Sequence, residues 1–214
     1  MSRAKAAVKK RAYHHGDLRD QLVAAAEAII LERGVEGFTL REAARRAGVS
    51  PAAPAHHFKD AKGLLGEVAL RGFRDFGEAL DAGDRRGGDD PYRRLMEQGN
   101  AYVNFALKHP ARFQLMFAHG KYDITYPGLA ETGDKAFRVL ERAVRAAYAA
   151  NPGDDLSPDA YGYLMAVWSI VHGFAHLTLG GEFDWAARQR GGGKDTILKH
   201  FLPLTLKHLP LPSR

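Results

Sequence analysis

Thr39–Phe58 reads TLREAARRAGVSPAAPAHHF, and its punctuation is that of two short helices about a tight turn. Thr39 precedes LREAARRA, a run of good helix formers with Leu40, Ala43, Ala44 and Ala47 on one face. Its hydroxyl can accept from a backbone N–H that a helix start leaves without a partner, and Glu42 stands at the capping-box offset. Gly48 falls where a helix ends in a left-handed residue. Ser50-Pro51 predicts the start of a second helix, with the serine as N-cap and the proline at the first helical position, where no N–H is needed. Two short helices around a glycine-containing turn make a helix-turn-helix, whose second helix fits a DNA major groove. A hairpin packed on alanine would explain the same caps but not the charge distribution.

The chain has 214 residues, with 31 Lys+Arg against 25 Asp+Glu, a formal charge of +6. That excess is uneven. Residues 1–62 hold 12 basic and 7 acidic side chains, whereas 63–214 hold 19 and 18. The basic third is where a polyanion would be met, and the nearly neutral remainder suits dimerisation or ligand binding. Residues 1–12 carry Arg3, Lys5, Lys9, Lys10 and Arg11 with no acid, so they read either as a flexible basic arm along DNA or as a solubilising tail. With no cysteine there are no disulfides, thiolate metal sites or cysteine nucleophile. The N-terminus lacks the apolar core of a secretory signal. The most apolar run, Tyr161–Leu179, contains His172, His176 and two glycines and is short for a bilayer, which predicts a cytoplasmic protein without a membrane partner.

Helical periodicity continues throughout. Leu18, Leu22, Ala25 and Ile29 form one stripe of a first helix that stops at Arg33-Gly34. A helix from about Ala61 points Leu64, Leu65, Val68, Phe73 and Phe76 inward and is expected to link the two halves. Gly83–Pro91 (GDRRGGDDP) predicts a loop. Helices follow over Tyr92–Lys108, Ala111–Phe117, Glu131–Ala149 and Asp159–Leu179, then a loop at Gly180–Gly193 and a last helix over Lys194–Leu209, interrupted by Pro203. Asp159–Leu179 is apolar on two faces and must be covered on both, and Gly162, Ala166, Ser169 and Gly173 let another helix come close.

Tyr13–Leu65 resembles the DNA-binding domain of TetR/AcrR-type transcriptional regulators. Arg33-Gly34, Gly37-Phe38-Thr39-Leu40, Ala47-Gly48-Val49-Ser50 and His57-Phe58 all fall in its register. VWSIVHGF is similar to the W-x3-H-G signature of one subgroup, here Trp168, His172 and Gly173. The resemblance implies an all-α protein: a three-helix DNA-binding domain at 13–60, its motif at about 39–58, and a helical effector-binding and dimerisation domain at 61–214. It implies that the last two long helices pair with their counterparts in a homodimer, and that the helices between enclose a small-molecule effector.

The DNA-contact candidates on these terms are Thr39, Arg41, Ser50, Pro51, Ala52, Ala53, His56, Lys59 and Lys62. Ala55 replaces the family's usual tyrosine, and Ala61 its lysine, so phosphate positioning is expected to outweigh base readout. The effector candidates are Phe105, Phe113, Met116, Phe117, Tyr122, Tyr126 and Trp168, with His172 as a polar handle. Those for the dimer interface are Tyr163, Val167, Ile170, Phe174, Leu198 and Phe201. His172 and His176 share a helical face but lack a third ligand, and Gly191–Lys194 fails the P-loop spacing, so no metal or cofactor is expected. Absent catalytic motifs, the chain reads as a regulator of a near-palindromic duplex operator, most simply a repressor, and not an enzyme. Two other readings stay open: a helical carrier or enzyme with a degenerate DNA-binding head, and an effector-free architectural DNA-binding protein.

Overall fold

The computed structural model describes residues 15–151 and 153–208, and every regular element among them is helical. The head consists of α1 (His15–Arg33), α2 (Leu40–Arg46) and α3 (Ala55–Phe58), and α4 (Ala61–Gly87) is the long strut leading out of it. The body is built from α5 (Pro91–Lys108), α6 (Pro110–Met116), α7 (Leu129–Ala147) and α8 (Pro158–Gly180). A short α9 (Asp184–Gln189) precedes an irregular last helix: α10 (Lys194–Thr196), a π-helical stretch at Ile197–Phe201, and α11 (Leu202–Lys207). The basic arm expected at 1–12 lies outside the described residues.

There are two cores. In the head, Leu18, Leu22, Ala25 and Ile29 are all buried against Ala43 and Phe58. That core continues past residue 60, because Leu64, Leu65, Val68 and Ala69 of α4 complete it and Ala111, Leu115 and Leu129 reach into it from α6 and α7. The body core is aromatic about Phe76, whose ring meets Tyr102 edge-on at 4.8 Å and lies 5.2 Å from Phe105. The two cores share α4, and α6 and α7 also reach from the body into the head core.

Three expected element boundaries are corrected. α4 does not stop at Gly83 but runs to Gly87, and the loop shrinks to Gly88–Asp90. The glycines there serve packing, since a Cβ at Gly87 would stand 2.4 Å from Arg94 Cα on α5. Asp84 between them is buried and accepts two hydrogen bonds from Arg94, both at 2.8 Å. The loop expected at Gly180–Gly193 contains α9, which seats Ala187 in the body core. The second motif helix begins at Ala55 rather than Pro51. Ala53 N–H donates to Ser50 C=O and Ala55 N–H to Ala52 C=O, three-residue closures that make 51–54 a tight turn. Pro54 has no N–H with which to continue an α-helical ladder from Ser50, so only one helical turn remains and Ser50 caps nothing.

Thr39 caps α2 as expected, its Oγ1 accepting from Glu42 N–H at 3.2 Å, but the Glu42 carboxylate bonds Arg45 and Arg46 instead of completing a capping box. Ser157 Oγ accepts from Ala160 N–H at 3.2 Å at the start of α8. The irregularity at Pro203 takes the form of the widened turn just before it, because the ring crowds the carbonyl four residues back. By length and composition α8, with 23 residues, would be long and apolar enough to cross a membrane, contrary to the expectation that this run is too short. Its Ala160, Leu164, Val171 and Ala175 faces are packed into the body core.

Candidate nucleic-acid interface and effector pocket

On the head, Thr39, Arg41, Ser50, Pro51, Ala52, His56, Lys59 and Lys62 are exposed, and Ala53 is half-buried against the head core. They spread over the start of α2, the 51–54 turn, α3 and the start of α4. The cations differ in availability. Arg45 and Arg46 are tied to Glu42, and Arg46 also to Glu32, with contacts of 2.6–3.0 Å. Arg41, Lys59 and Lys62 make no ion pair among the described residues and can meet phosphates. Lys59 has φ 64 and ψ −58, and Asp60 N–H donates to Phe58 C=O at 2.7 Å. This is a γ-turn of the rare, strained hand, which lets α4 leave sharply from α3. The turn itself exposes mainly methyl and proline carbons, a surface poor in hydrogen-bonding groups.

In the body, Met116, Phe117, Tyr122, Trp168 and His172 line one cavity of about 470 Å³. Phe73, Phe76 and Phe137 complete its aromatic walls. Three effector candidates lie elsewhere. Phe105 is buried between Phe76 and His109, and Phe113 is fully buried with its ring on those of Tyr102 and Phe117. Tyr126 points the other way, toward the head. A smaller chamber of about 50 Å³ lies beyond and shares Phe76, Ala136, Phe137 and Trp168 with the first. It is lined in addition by Gln98 and Tyr102. His172 Nδ1 and Tyr102 Oη are 2.7 Å apart. Burial, and secondarily His176, hold the His172 pKa below its ordinary value, so the ring is neutral near pH 7. The two imidazoles stack edge-on at 4.5 Å, and no group of three or more metal-ligating side chains occurs among the described residues.

Between α6 and α7 the chain forms a strap from the cavity to the head. Its His119 and Tyr122 line the cavity. Lys121 Nζ pairs with Glu36 at 2.5 Å, and Asp123 N–H donates to Lys62 C=O at 3.2 Å. Tyr126 Oη donates to Glu67 Oε2 at 2.8 Å and accepts from Arg19 Nη2 at 2.6 Å. Arg19 itself donates to Glu67 at 2.7 Å and lies 4.9 Å from the ring centre of Phe58, the last residue of α3. Arg71 adds bonds to Glu67 and to Asp20 of α1. Burial opposes the Glu67 charge, but the bonds from Arg19, Arg71 and Tyr126 outweigh it and bring its pKa down to about 2. Tyr126 also lies on Gly66, where a Cβ would be 2.9 Å from its ring. Arg112 on α6 is a second tie, bonding both Glu27 of α1 and Asp75 of α4.

The interface candidates divide. Tyr163, Val167 and Phe174 are buried in the protomer's own core, which corrects their assignment to an outer face. Ile170 is 37% exposed, and Leu198 and Phe201 are half-buried. Of the apolar residues left exposed on α8, Ile170 and Leu177 share a face with the exposed Gly162 and Ala166, whereas Tyr161 lies on the opposite side of the helix; Leu204 of α11 is also exposed.

Glu67, Arg19, Phe137 and Gln98 were absent from the candidates drawn from sequence. Gln98 carried a readable signal, a polar residue on the stripe of Leu95 and Tyr102. Glu67 showed only its i,i+4 pairing with Arg71, because its other partners, Arg19 and Tyr126, come from distant segments.

Comparison with known proteins agrees with this architecture. Residues 22–68 match the model of bacterial regulatory proteins of the tetR family, and residues 95–193 the tetracyclin repressor-like C-terminal domain. A solved structure of a Rhodococcus sp. RHA1 protein of unknown function is 32% identical, with a TM-score of 0.71, covering 94% of this chain and 99% of that one. A regulatory protein of the tetR family from Rhodococcus RHA1 shares the fold at 21% identity, with a TM-score of 0.68 over 92% and 98% of the two chains. The uncharacterized HTH-type transcriptional regulator YobS of Bacillus subtilis is 28% identical over 109 residues, which span 50% of this chain and only 56% of that relative. With both family models covering about two thirds of its length, the chain belongs to the TetR family of DNA-binding transcriptional regulators.

Proposed function

We propose that this protein is a cytoplasmic, homodimeric repressor without enzymatic activity, released from a near-palindromic operator when a small apolar effector enters the body cavity. One observation carries this reading: the strap whose His119 and Tyr122 line the cavity is bonded through Tyr126 to Glu67 and Arg19, and Arg19 lies against the end of α3. An effector that displaces Tyr122 acts on the same segment that fixes the head on α4. It shifts the equilibrium only to the extent that it binds the DNA-competent and released arrangements unequally. In the dimer, the outward face of α8 that carries Ile170 and Leu177 covers its own copy, and the two heads meet major grooves about 34 Å apart. Arg41, Lys59 and Lys62 bind phosphates, while Thr39, Ser50, Pro51, Ala52, Ala53 and His56 approach the groove.

Selection of bound sites from a random duplex library, near physiological salt, tests this. An enriched inverted repeat is expected, its half-sites about one helical turn apart. Binding without enrichment would instead favour an architectural protein, a reading to which the single-turn α3 lends some support. No binding would leave a carrier or enzyme built on the cavity.

A further inference from the structure

Gln98 is 3% exposed and lines the inner chamber. Its Nε2 donates to Asp84 Oδ1 at 2.6 Å and to Val139 C=O at 3.2 Å. Both partners only accept, so the amide cannot be turned over without setting its oxygen against a carboxylate and a carbonyl. Asp84 stays ionised despite burial because Arg94, Gln98 and Arg142 bond to it, which anchors the amide from behind. Gln98 Oε1 is thereby left buried with no hydrogen-bond partner in the protein. A buried acceptor without a donor costs about 1–3 kcal/mol. A chamber of about 50 Å³ has room for a single water, and a ligand that fills it must bring a donor to replace the bond such a water would give Oε1.

The remaining walls narrow the choice of occupant. No Lys, Arg, Asp or Glu lines either chamber, and the partition between them is Phe76, Phe137 and Trp168. A carboxylate or phosphate would lose its hydration there with no cation in exchange, and an ammonium would find no anion.

We infer that the two chambers form one site for a neutral, flat aromatic molecule carrying a hydroxyl or N–H at its inner end, and that this donor bonds to Gln98 Oε1. The inference rests on the ligand-responsive reading above. The aromatic body lies in the larger chamber between Phe117 and Trp168, and the donor threads past Phe137. The structure thus assigns Gln98 as a specificity-determining residue, with Asp84 and Arg94 as the positioning residues behind it.

Three probes of one shape test the inference: naphthalene, 2-naphthol and 2-naphthoate, titrated into the full chain carrying Trp185→Phe so that Trp168 fluorescence reports occupancy. Water solvates 2-naphthol better than naphthalene, so an apolar cavity without an acceptor ranks the hydrocarbon first. The inference predicts the reverse, with 2-naphthol about ten-fold tighter than naphthalene, and 2-naphthoate weaker than 2-naphthol by at least as much. Gln98→Met keeps the volume, removes the acceptor and is expected to abolish the preference for 2-naphthol. Equal or reversed ranking in the Gln98 protein, tightest binding of the carboxylate, a preference that survives Gln98→Met, or failure of all three to bind would each overturn it. Should Gln98→Met fold poorly, Gln98→Leu gives the same test, since the larger chamber also holds Ser169 and His172 and the ranking with Gln98 present does not by itself single out Gln98. Anisotropy on the selected duplex separates this from the regulator reading. Release by naphthalene and 2-naphthol alike would sustain the regulator and reject the Gln98 assignment. A 2-naphthol preference without specific duplex binding would do the opposite.

Discussion

Glu67→Gln is the most direct probe of the joint between body and head. The carboxylate accepts from Arg19 and Tyr126 on one oxygen and from Arg71 on the other. An amide keeps one acceptor and turns an NH2 against existing donors, much as protonation would. The distance between an ordinary 4.5 and about 2 corresponds to about 3 kcal/mol of preference for the ionised form in the folded state. Arg19 is 37% exposed and loses part of its contribution to solvent, so about 2 kcal/mol is the expected loss at pH 7. For a chain of this length that lowers Tm by roughly 4–8 °C. The pH dependence fixes the cause. Because the folded pKa is depressed, the stabilisation is fully present above about 4.5 and is lost as pH falls toward about 2. Thermal unfolding followed by circular dichroism should show a gap between the two proteins that is constant from pH 8 to about 5 and narrows below. A gap of less than 1 °C at pH 7, or one that persists undiminished near pH 3, would refute the reasoning.

Other expectations concern the strap, the recognition turn and the outward stripe. Gly66→Ala should destabilise the protein, because overpacking against the Tyr126 ring costs about 1–3 kcal/mol and exceeds the gain of about 1 kcal/mol from helix propensity. In a Tyr126→Ala background the same change should stabilise, and an unchanged sign in the double mutant would disprove the contact. Lys59→Gly relieves a positive φ, so thermal stability should not fall, while the slope of log affinity for DNA against log salt should drop by about one; an unchanged slope would remove Lys59 from the phosphate contacts. Ile170→Asp with Leu177→Asp should give a folded monomer in sedimentation, because both side chains already face outward, whereas a dimer of unchanged affinity would place the interface elsewhere.

How far the sequence revealed this depended on whether the cause was local. The cap at Thr39, the stop at Gly34 and the buried stripe of α1 follow from neighbours within a few residues, and a linear reading recovers them. Gly83 and Gly87 read as breakers because glycine weakens an isolated helix. Here α5 approaches so closely that only glycine fits, and tertiary packing outweighs propensity. Pro51 satisfied every local rule for starting a helix, yet Pro54 three residues later withheld the N–H that the first turn required. On α8 the apolar positions fell into two stripes of equal weight. Nothing in the chain of letters told which belonged to the protomer, and the interface candidates were split accordingly.

The strap shows the same limit from the functional side. Tyr126 reads from sequence as an effector contact because it is aromatic, but the four residues of irregular chain between it and Tyr122 suffice to turn its side chain from the cavity to another partner. Tyr122 bonds back to Met116 C=O and stays on the cavity, whereas Tyr126 crosses Gly66 to reach Glu67. A single loop thus lines the cavity at one end and bonds α1 and α4 at the other. No separate relay through the helices is then required. Loosening the Tyr126 contacts should change how strongly an effector weakens DNA binding while leaving the effector's own cavity intact. That separation distinguishes this joint from the Arg112 tie, which bonds α1 and α4 from α6 and touches neither His119 nor Tyr122.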